Sequence, residues 1–283
     1  MEDWSVNLPA AVKVLGIEAE FYDLSNFRTK DAPLTLYFQK KKDASTFVKL
    51  ISNSFEDIKA SKPRRQAQKD WMKEWRKHYK AVRIKEGKEC LYILPAWKKC
   101  TAEMKKKYYV KIHPGQAFGT GTHATTNLCM RLFLKLSEDL VKAEKILSIG
   151  DFGAGTGILA LSAAKWAKKN KKKIKIIASE IDPVAREQCR KNIRINGLKF
   201  PVLKQLPEKK TYTVLFANVL APVLLEHREY LVRSITAEAY LILSGLLKKE
   251  ADMFWKKFKK DFPGLKLVEK RVSGDWAALL VIK

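Results

Sequence analysis

The chain has 283 residues, 46% of them hydrophobic and 30% charged, a globular balance that excludes a disordered or collagen-like chain and leaves room for one large domain plus a smaller one. Lys and Arg total 56 against 30 Asp and Glu, a formal charge of +26, which bears on solubility, nonspecific binding and encounter rate and says little about fold. No run reaches the roughly 18 to 20 apolar residues that cross a bilayer, and the acidic opening MEDWSVNLPAAVKVLGIEAE has no apolar signal core, so a cytoplasmic protein with no membrane partner is expected.

In chain order, residues around Pro9 to Leu15 predict a short apolar helix. EAEFYDL (18–24) and LTLYFQ (34–39) predict strands, and DASTFVKLISNSF (43–55) predicts an amphipathic helix. Residues 1–60 therefore read as a small α+β domain. SKPRRQAQKD (61–70) loses hydrophobicity and gains charge. Trp71, Trp75 and Tyr79 then recur on one helical face, so 61–80 reads as a linker helix.

From Ala81 the pattern is that of an α/β domain running to Lys283. VRI, CLYILPAW and YYVKI are strand candidates leading into HPGQAFGTGTHATT (113–126). From Glu144 strands and helices alternate: KILSIGD, ILALSAAKWAKK, KIIASE, PVAREQCRKNIRING, YTVLFAN, a helix near Leu220 to Ile235, AYLILSG and KKEADMFWKKFKK. Such alternation predicts a parallel sheet with helices on both faces. LKLVEKR and WAALLVIK, joined by a Gly-Asp turn, predict a closing hairpin with one antiparallel strand at the sheet edge.

Cys90, Cys100, Cys129 and Cys189 are scattered, so neither a metal site nor a disulfide framework is expected. Lysines cluster at 40–42, 105–107 and 168–173. They read either as a solvated surface or as a contact for RNA, and no arginine-aromatic RNA motif accompanies them.

Strand KILSI runs into DFGAGTG and then a helix, so Gly153, Gly155 and Gly157 let backbone approach a ligand beside free helix N–H groups. A dinucleotide fingerprint would need glycine or alanine where Ile158 stands, and a phosphate loop would need G-K-[ST]. What remains is the D-x-G-x-G-x-G pattern of S-adenosylmethionine-dependent methyltransferases with a seven-stranded sheet. Glu180, 23 residues past Gly157 at a strand end, is placed to accept hydrogen bonds from two ribose hydroxyls, whereas Asp182 before Pro183 reads as a helix N-cap. Asn218 closes an apolar strand at the edge where open α/β sheets bind ligands. His123 reads as a structural histidine, with a base role as the alternative.

The segments DWMKEWRKHYKAVRI, HPGQAFGTGTHATTNLC, DFGAGTGILALSAAK, EIDPVAREQCRKNIRINGL, ANVLAPVL, LILSGLLKKEA and DWAALLVIK resemble the PrmA family of bacterial methyltransferases, which modify the ribosomal stalk-base protein L-eleven. The A-F-G-T-G-T-H-x-T-T block is the most specific of them. The resemblance implies a class I α/β fold: a seven-stranded, mostly parallel Rossmann-like sheet with an antiparallel C-terminal hairpin, and a small ferredoxin-like N-terminal domain. It implies S-adenosyl-L-methionine as cofactor and lysine or N-terminal amines of L-eleven as acceptors; the basic surface adds contact with ribosomal RNA as an expectation, and a monomer is expected. Cofactor contacts carried over are Phe118, Thr122, Thr126, Gly153, Gly155, Glu180 and Asn218, the last also assigned as the catalytic residue, accepting a hydrogen bond from the amine.

Three departures stand out. His113 replaces the usual Asp before Pro-Gly, Ala154 and Glu180 replace commoner residues, and the first ferredoxin-like strand reads as missing or very short. That last point keeps methylation of another protein lysine as an alternative, and the +26 charge keeps a non-catalytic cofactor-binding protein associated with RNA or the ribosome as another.

Overall fold

The computed structural model describes residues 4–8, 34–38, 40–54, 60–65, 80–113, 119, 121–143, 146–207 and 211–283. The chain divides into two compact units, Met1–Tyr79 and Lys80–Lys283. In the first, β1 (Trp4–Leu8) pairs antiparallel with β2 (Leu34–Phe38) and with β3 (Arg64–Arg65). Helix α1 (Lys41–Ser54) buries Ala44 and Ile51, two turns apart on one face.

Two expectations are corrected here. A first strand is present: five residues, WSVNL, pair along their whole length with β2. Arg64–Arg65, inside the stretch read as a linker, extends the same sheet. The helix expected near Pro9 to Leu15, the strand expected at 18–24 and the Trp71–Trp75–Tyr79 face lie outside the described residues.

The second unit opens with β4 (Val82–Glu86), β5 (Glu89–Pro95), α2 (Ala102–Lys106) and β6 (Tyr108–Ile112). These three strands form a separate sheet in the order β4-β5-β6. Next come α3 (Ala124–Lys135), α4 (Ser137–Lys142), β7 (Leu147–Phe152), α5 (Ile158–Lys169), β8 (Ile174–Ser179), α6 (Pro183–Ile195) and β9 (Val202–Leu203). The chain finishes with β10 (Tyr212–Asn218), α7 (Ala221–Glu226), α8 (Arg228–Ser234), β11 (Ile235–Leu247), α9 (Ala251–Asp261), β12 (Lys266–Ser273) and β13 (Trp276–Ile282). The single helix expected near Leu220 to Ile235 is thus two short helices that meet at His227.

Seven strands form the main sheet in the order β9-β8-β7-β10-β11-β13-β12. Neighbours from β9 to β11 are parallel, and β13 is antiparallel to both of its partners. The period-2 alternation of strands sorts continuous apolar runs into two cores. Val214, Phe216, Ile242, Ala278 and Leu280 enter one core, and Leu215, Ala217, Leu241, Leu243 and Leu279 enter the other. Phe133 of α3 anchors the first, its ring 5.4 Å from those of Trp166 and Phe216. Phe254 and Phe258 of α9 fill the second. Ile84, Leu91, Ile93, Val110 and Ile112 of the small sheet join the first core, so α3 and α5 lie between the two sheets.

At the edge of the small sheet, side-chain amides add a polar contact to this packing. Strand β6 is an edge, and its outward N–H and C=O groups need partners when covered. Asn196 of the α6 C-cap accepts from the Lys111 N–H (2.9 Å) and donates to the Lys111 C=O (2.7 Å). One turn earlier, Asn192 accepts from the His113 N–H (2.8 Å) and donates to the His113 C=O (3.2 Å) and to the Thr156 C=O (3.0 Å). Four helical residues rise about 6 Å and two strand residues about 6.6 Å. The two amides therefore match alternate residues, Lys111 of β6 and His113 just past its end, and take the place of a missing strand.

Replacing Asn192 with Leu keeps the volume and strands these partners. Stability should fall by about 2–4 kcal/mol, measured by urea unfolding, and exchange at the His113 amide should accelerate. A loss below about 0.5 kcal/mol would remove the staple from the account.

Candidate functional site

The parallel strands all end on one edge of the main sheet, and antiparallel β13 begins there. Along that edge lies a cavity of about 960 Å³. Its walls come from β8 with the turn after it (Ser179, Glu180, Ile181), β7 with the glycine turn (Phe152, Gly153, Gly155), β10 (Asn218, Val219), β11 (Gly245) and β13 (Trp276). Four residues expected from the sequence, Gly153, Gly155, Glu180 and Asn218, therefore line the same cavity. The close approach requires glycine. Gly153 has φ +68, and a Cβ there would sit 2.4 Å from Val219 Cγ1; Gly245 has φ +85, and its Cβ would meet the Val219 carbonyl oxygen at 2.2 Å.

Glu180 is held by its own backbone surroundings. One carboxylate oxygen accepts from the Gly155 N–H (2.9 Å) and the other from the Asp182 N–H (3.0 Å). A carboxylate has about four acceptor positions, so two remain. Asp182 caps α6, accepting from the Val184 and Ala185 N–H groups at 2.9 and 3.2 Å, as its place before Pro183 predicts. Asn218 Oδ1 is buried with no hydrogen-bond partner among the described residues.

The opening block behaves differently from its glycine-rich appearance. Gly119 accepts a hydrogen bond from the Thr156 hydroxyl, and a Cβ on Gly121 (φ +87) would come within 2.9 Å of Ile93. The described part of the block thus packs on the start of α5. His123 caps α3, its Nδ1 accepting from the Thr125 N–H at 3.4 Å and lying 2.8 Å from the Thr125 hydroxyl, and its ring lies edge-on to Trp276 at 5.0 Å. His123 and Thr125 line the cavity. Thr122 is exposed and Thr126 is fully buried in α3 with its hydroxyl unpartnered, and neither is on the cavity wall. Phe118 lies outside the described residues. At His113 the backbone makes the Asn192 and Gln188 hydrogen bonds while the ring sits edge-on to Trp97, so the contacts there are open to side chains other than Asp.

Several wall residues were not singled out from the sequence: Ile181, Lys204, Glu226, His227, Tyr230 and Trp276. Ile181 carried a signal, since an apolar residue between two acids at a strand end has no burial to gain there and is 75% exposed. The wall residues of fixed charge are three acids, Glu180, Asp182 and Glu226, against Lys204. In a chain of +26 this is a local reversal of sign.

Beneath the glycine turn, Asp151 is buried and accepts from the Ala160 N–H at 3.0 Å, leaving its other oxygen without a partner among the described residues. Burial pushes its pKa up to about 7, aided by the nearby Glu180 charge and opposed by the Ala160 hydrogen bond. The folded chain therefore keeps a proton that the unfolded chain loses near pH 4. This contribution to stability is fully present below about pH 4 and is lost as pH rises through about 7. Asp151→Asn has no such proton, so its stability relative to the parent should improve by a few kcal/mol between pH 4 and 7.5, measured by urea unfolding at each pH. A constant difference across that range would contradict the shift.

A family model described as ribosomal protein L11 methyltransferase (PrmA) matches residues 11–283. Among curated proteins, the chain is 31% identical over 216 residues to a ribosomal protein L11 methyltransferase of Caldicellulosiruptor bescii, covering 75% of this chain and 65% of that one. It is 30% identical over 217 residues to the protein of the same name from Thermoanaerobacter pseudethanolicus, covering 75% and 64%. The chain thus spans less than two thirds of these relatives' length. Among solved structures, a ribosomal protein L11 methylase of Lactobacillus delbrueckii subsp. bulgaricus shares the fold, with a TM-score of 0.59, 23% identity, and coverage of 71% of this chain and 98% of that one. With the family model matched over nearly its whole length, the chain belongs to the ribosomal protein L11 methyltransferase (PrmA) family.

Proposed function

We propose that this chain transfers a methyl group from S-adenosyl-L-methionine to lysine or N-terminal amines of ribosomal protein L11. The observation that carries the reading is the acid-lined cavity across the strand ends, with Asn218 Oδ1 buried and unpartnered in its wall. The residues present suit that cofactor. The carboxylates of Glu180 and Asp182, together at the end of β8, favour a ligand carrying sulfonium and ammonium charges. The two spare acceptor positions of Glu180 suit vicinal hydroxyls. Ile181 and Leu220, 75% and 62% exposed, offer apolar surface to a base. The names of the relatives support the acceptor.

When bound, the cofactor supplies an electrophilic methyl group on a positively charged sulfur. The task left to the protein is position: reacting atoms need to be held about 3 to 3.5 Å apart. A free lysine is almost wholly protonated at pH 7, and presenting it neutral costs roughly 4 to 5 kcal/mol. Burial beside a cationic ligand lowers that cost by depressing the amine pKa. Asn218 Oδ1, having no hydrogen-bond partner among the described residues, accepts an N–H of the amine and aims its lone pair. His123 acts as the cap of α3 and not as a base.

The test combines labelled cofactor with purified, methyl-free ribosomal protein L11 and a methyl-free cell extract, followed by mass spectrometry. Label should appear on amines of L11. Asn218→Ala should cut single-turnover rate about 100-fold while calorimetry gives a cofactor Kd within about threefold of the parent. Label confined to RNA, or equal losses in rate and affinity, would count against the reading.

A further inference from the structure

We infer that the Glu226 carboxylate is the docking point for the protonated amine of the substrate, a subsite at the mouth of the cavity. The inference rests on the amine-methylation reading and adds where the amine is first held. Of the three acids in the cavity wall, two are engaged by their own chain: Glu180 by the Gly155 and Asp182 N–H groups, and Asp182 by the start of α6. Glu226, exposed at the end of α7, has no hydrogen bond or ion pair among the described residues.

A second cavity, of about 290 Å³, shares Glu226, His227 and Tyr230 with the first, so Glu226 stands where the two meet. The other charges there are neutralised internally. Glu229 pairs with Arg233 at 3.2 Å and Arg228 with Asp261 at 2.6 Å. The floor at this junction is aromatic: the Phe152 ring lies 5.3 Å from that of His227 and 6.2 Å from that of Tyr230. An aromatic floor beneath one unpaired carboxylate suits a lysine side chain, whose methylene stem packs on apolar surface and whose ammonium seeks an acceptor. The rest of the chain, at +26, repels such a group.

The sign of the effect fixes the stage. A carboxylate beside an ammonium favours the charged form, so Glu226 serves capture and not deprotonation. Its loss should appear in KM and leave kcat in place.

The experiment compares the full chain with Glu226→Gln at low salt, using n-butylammonium as a minimal lysine side chain and n-butanol as a neutral control in ligand-observed NMR titrations. The variant should bind n-butylammonium about fivefold more weakly, with n-butanol unchanged. In the methyl-transfer assay it should raise KM for the protein substrate about fivefold at unchanged kcat and cofactor Kd. Equal n-butylammonium affinity in both proteins, no saturable binding by the parent, or a loss falling on kcat or on cofactor affinity would each overturn the inference. Glu226-dependent binding by a parent that methylates no protein would uphold the subsite and sink the methylation reading.

Discussion

Two side-chain amides, Asn192 and Asn196, hold the second unit in its working arrangement. They present to strand β6 the alternating donors and acceptors of a neighbouring strand. Asn192 also holds the Thr156 carbonyl in the glycine turn, while the Thr156 hydroxyl holds Gly119 in the opening block. One helix face thus ties a sheet edge, a loop and the cavity wall. Each of these is backbone whose polar groups would otherwise face a covered surface. The network's value lies in how many separate segments it registers at once, since the net worth of each hydrogen bond is only about 1 kcal/mol.

Charge is arranged as tightly as geometry. The chain carries +26, yet the cavity wall is acidic and the buried Asp151 lies directly behind it. Attraction of a cationic ligand in such a place comes from low local dielectric as well as from charge count. The same burial holds Asp151 near its titration point at neutral pH, so the glycine turn rests on a group sensitive to whatever charge arrives above it.

Much of this was legible in the sequence wherever a local pattern carries it. The glycine turn, the N-cap at Asp182 and the polar end of β10 at Asn218 all stand within a few residues of the strands and helices that explain them. The alternation of strands and helices likewise announces the sheet. Harder to see were features whose partners lie far along the chain. The Asn192 and Asn196 amides find theirs some 80 residues earlier, at His113 and Lys111, and in isolation look like solvent-facing positions near a helix end. Strand β1 was missed because five residues before a proline show little periodicity, and its partners lie at 34–38 and 64–65. Thr126 and Thr125 are adjacent in one block, yet helical geometry turns Thr125 to the cavity and Thr126 into the core.

The central claim is that the cofactor lies across the strand ends with Glu180 at one side and Asn218 at the other. A crystal structure of the chain with S-adenosylhomocysteine tests it most directly. Density is expected along the cavity, with hydroxyls on Glu180 and Asn218 Oδ1 directed at the space beyond the sulfur. Density at any other site, or Asn218 turned away to a protein partner, would contradict it.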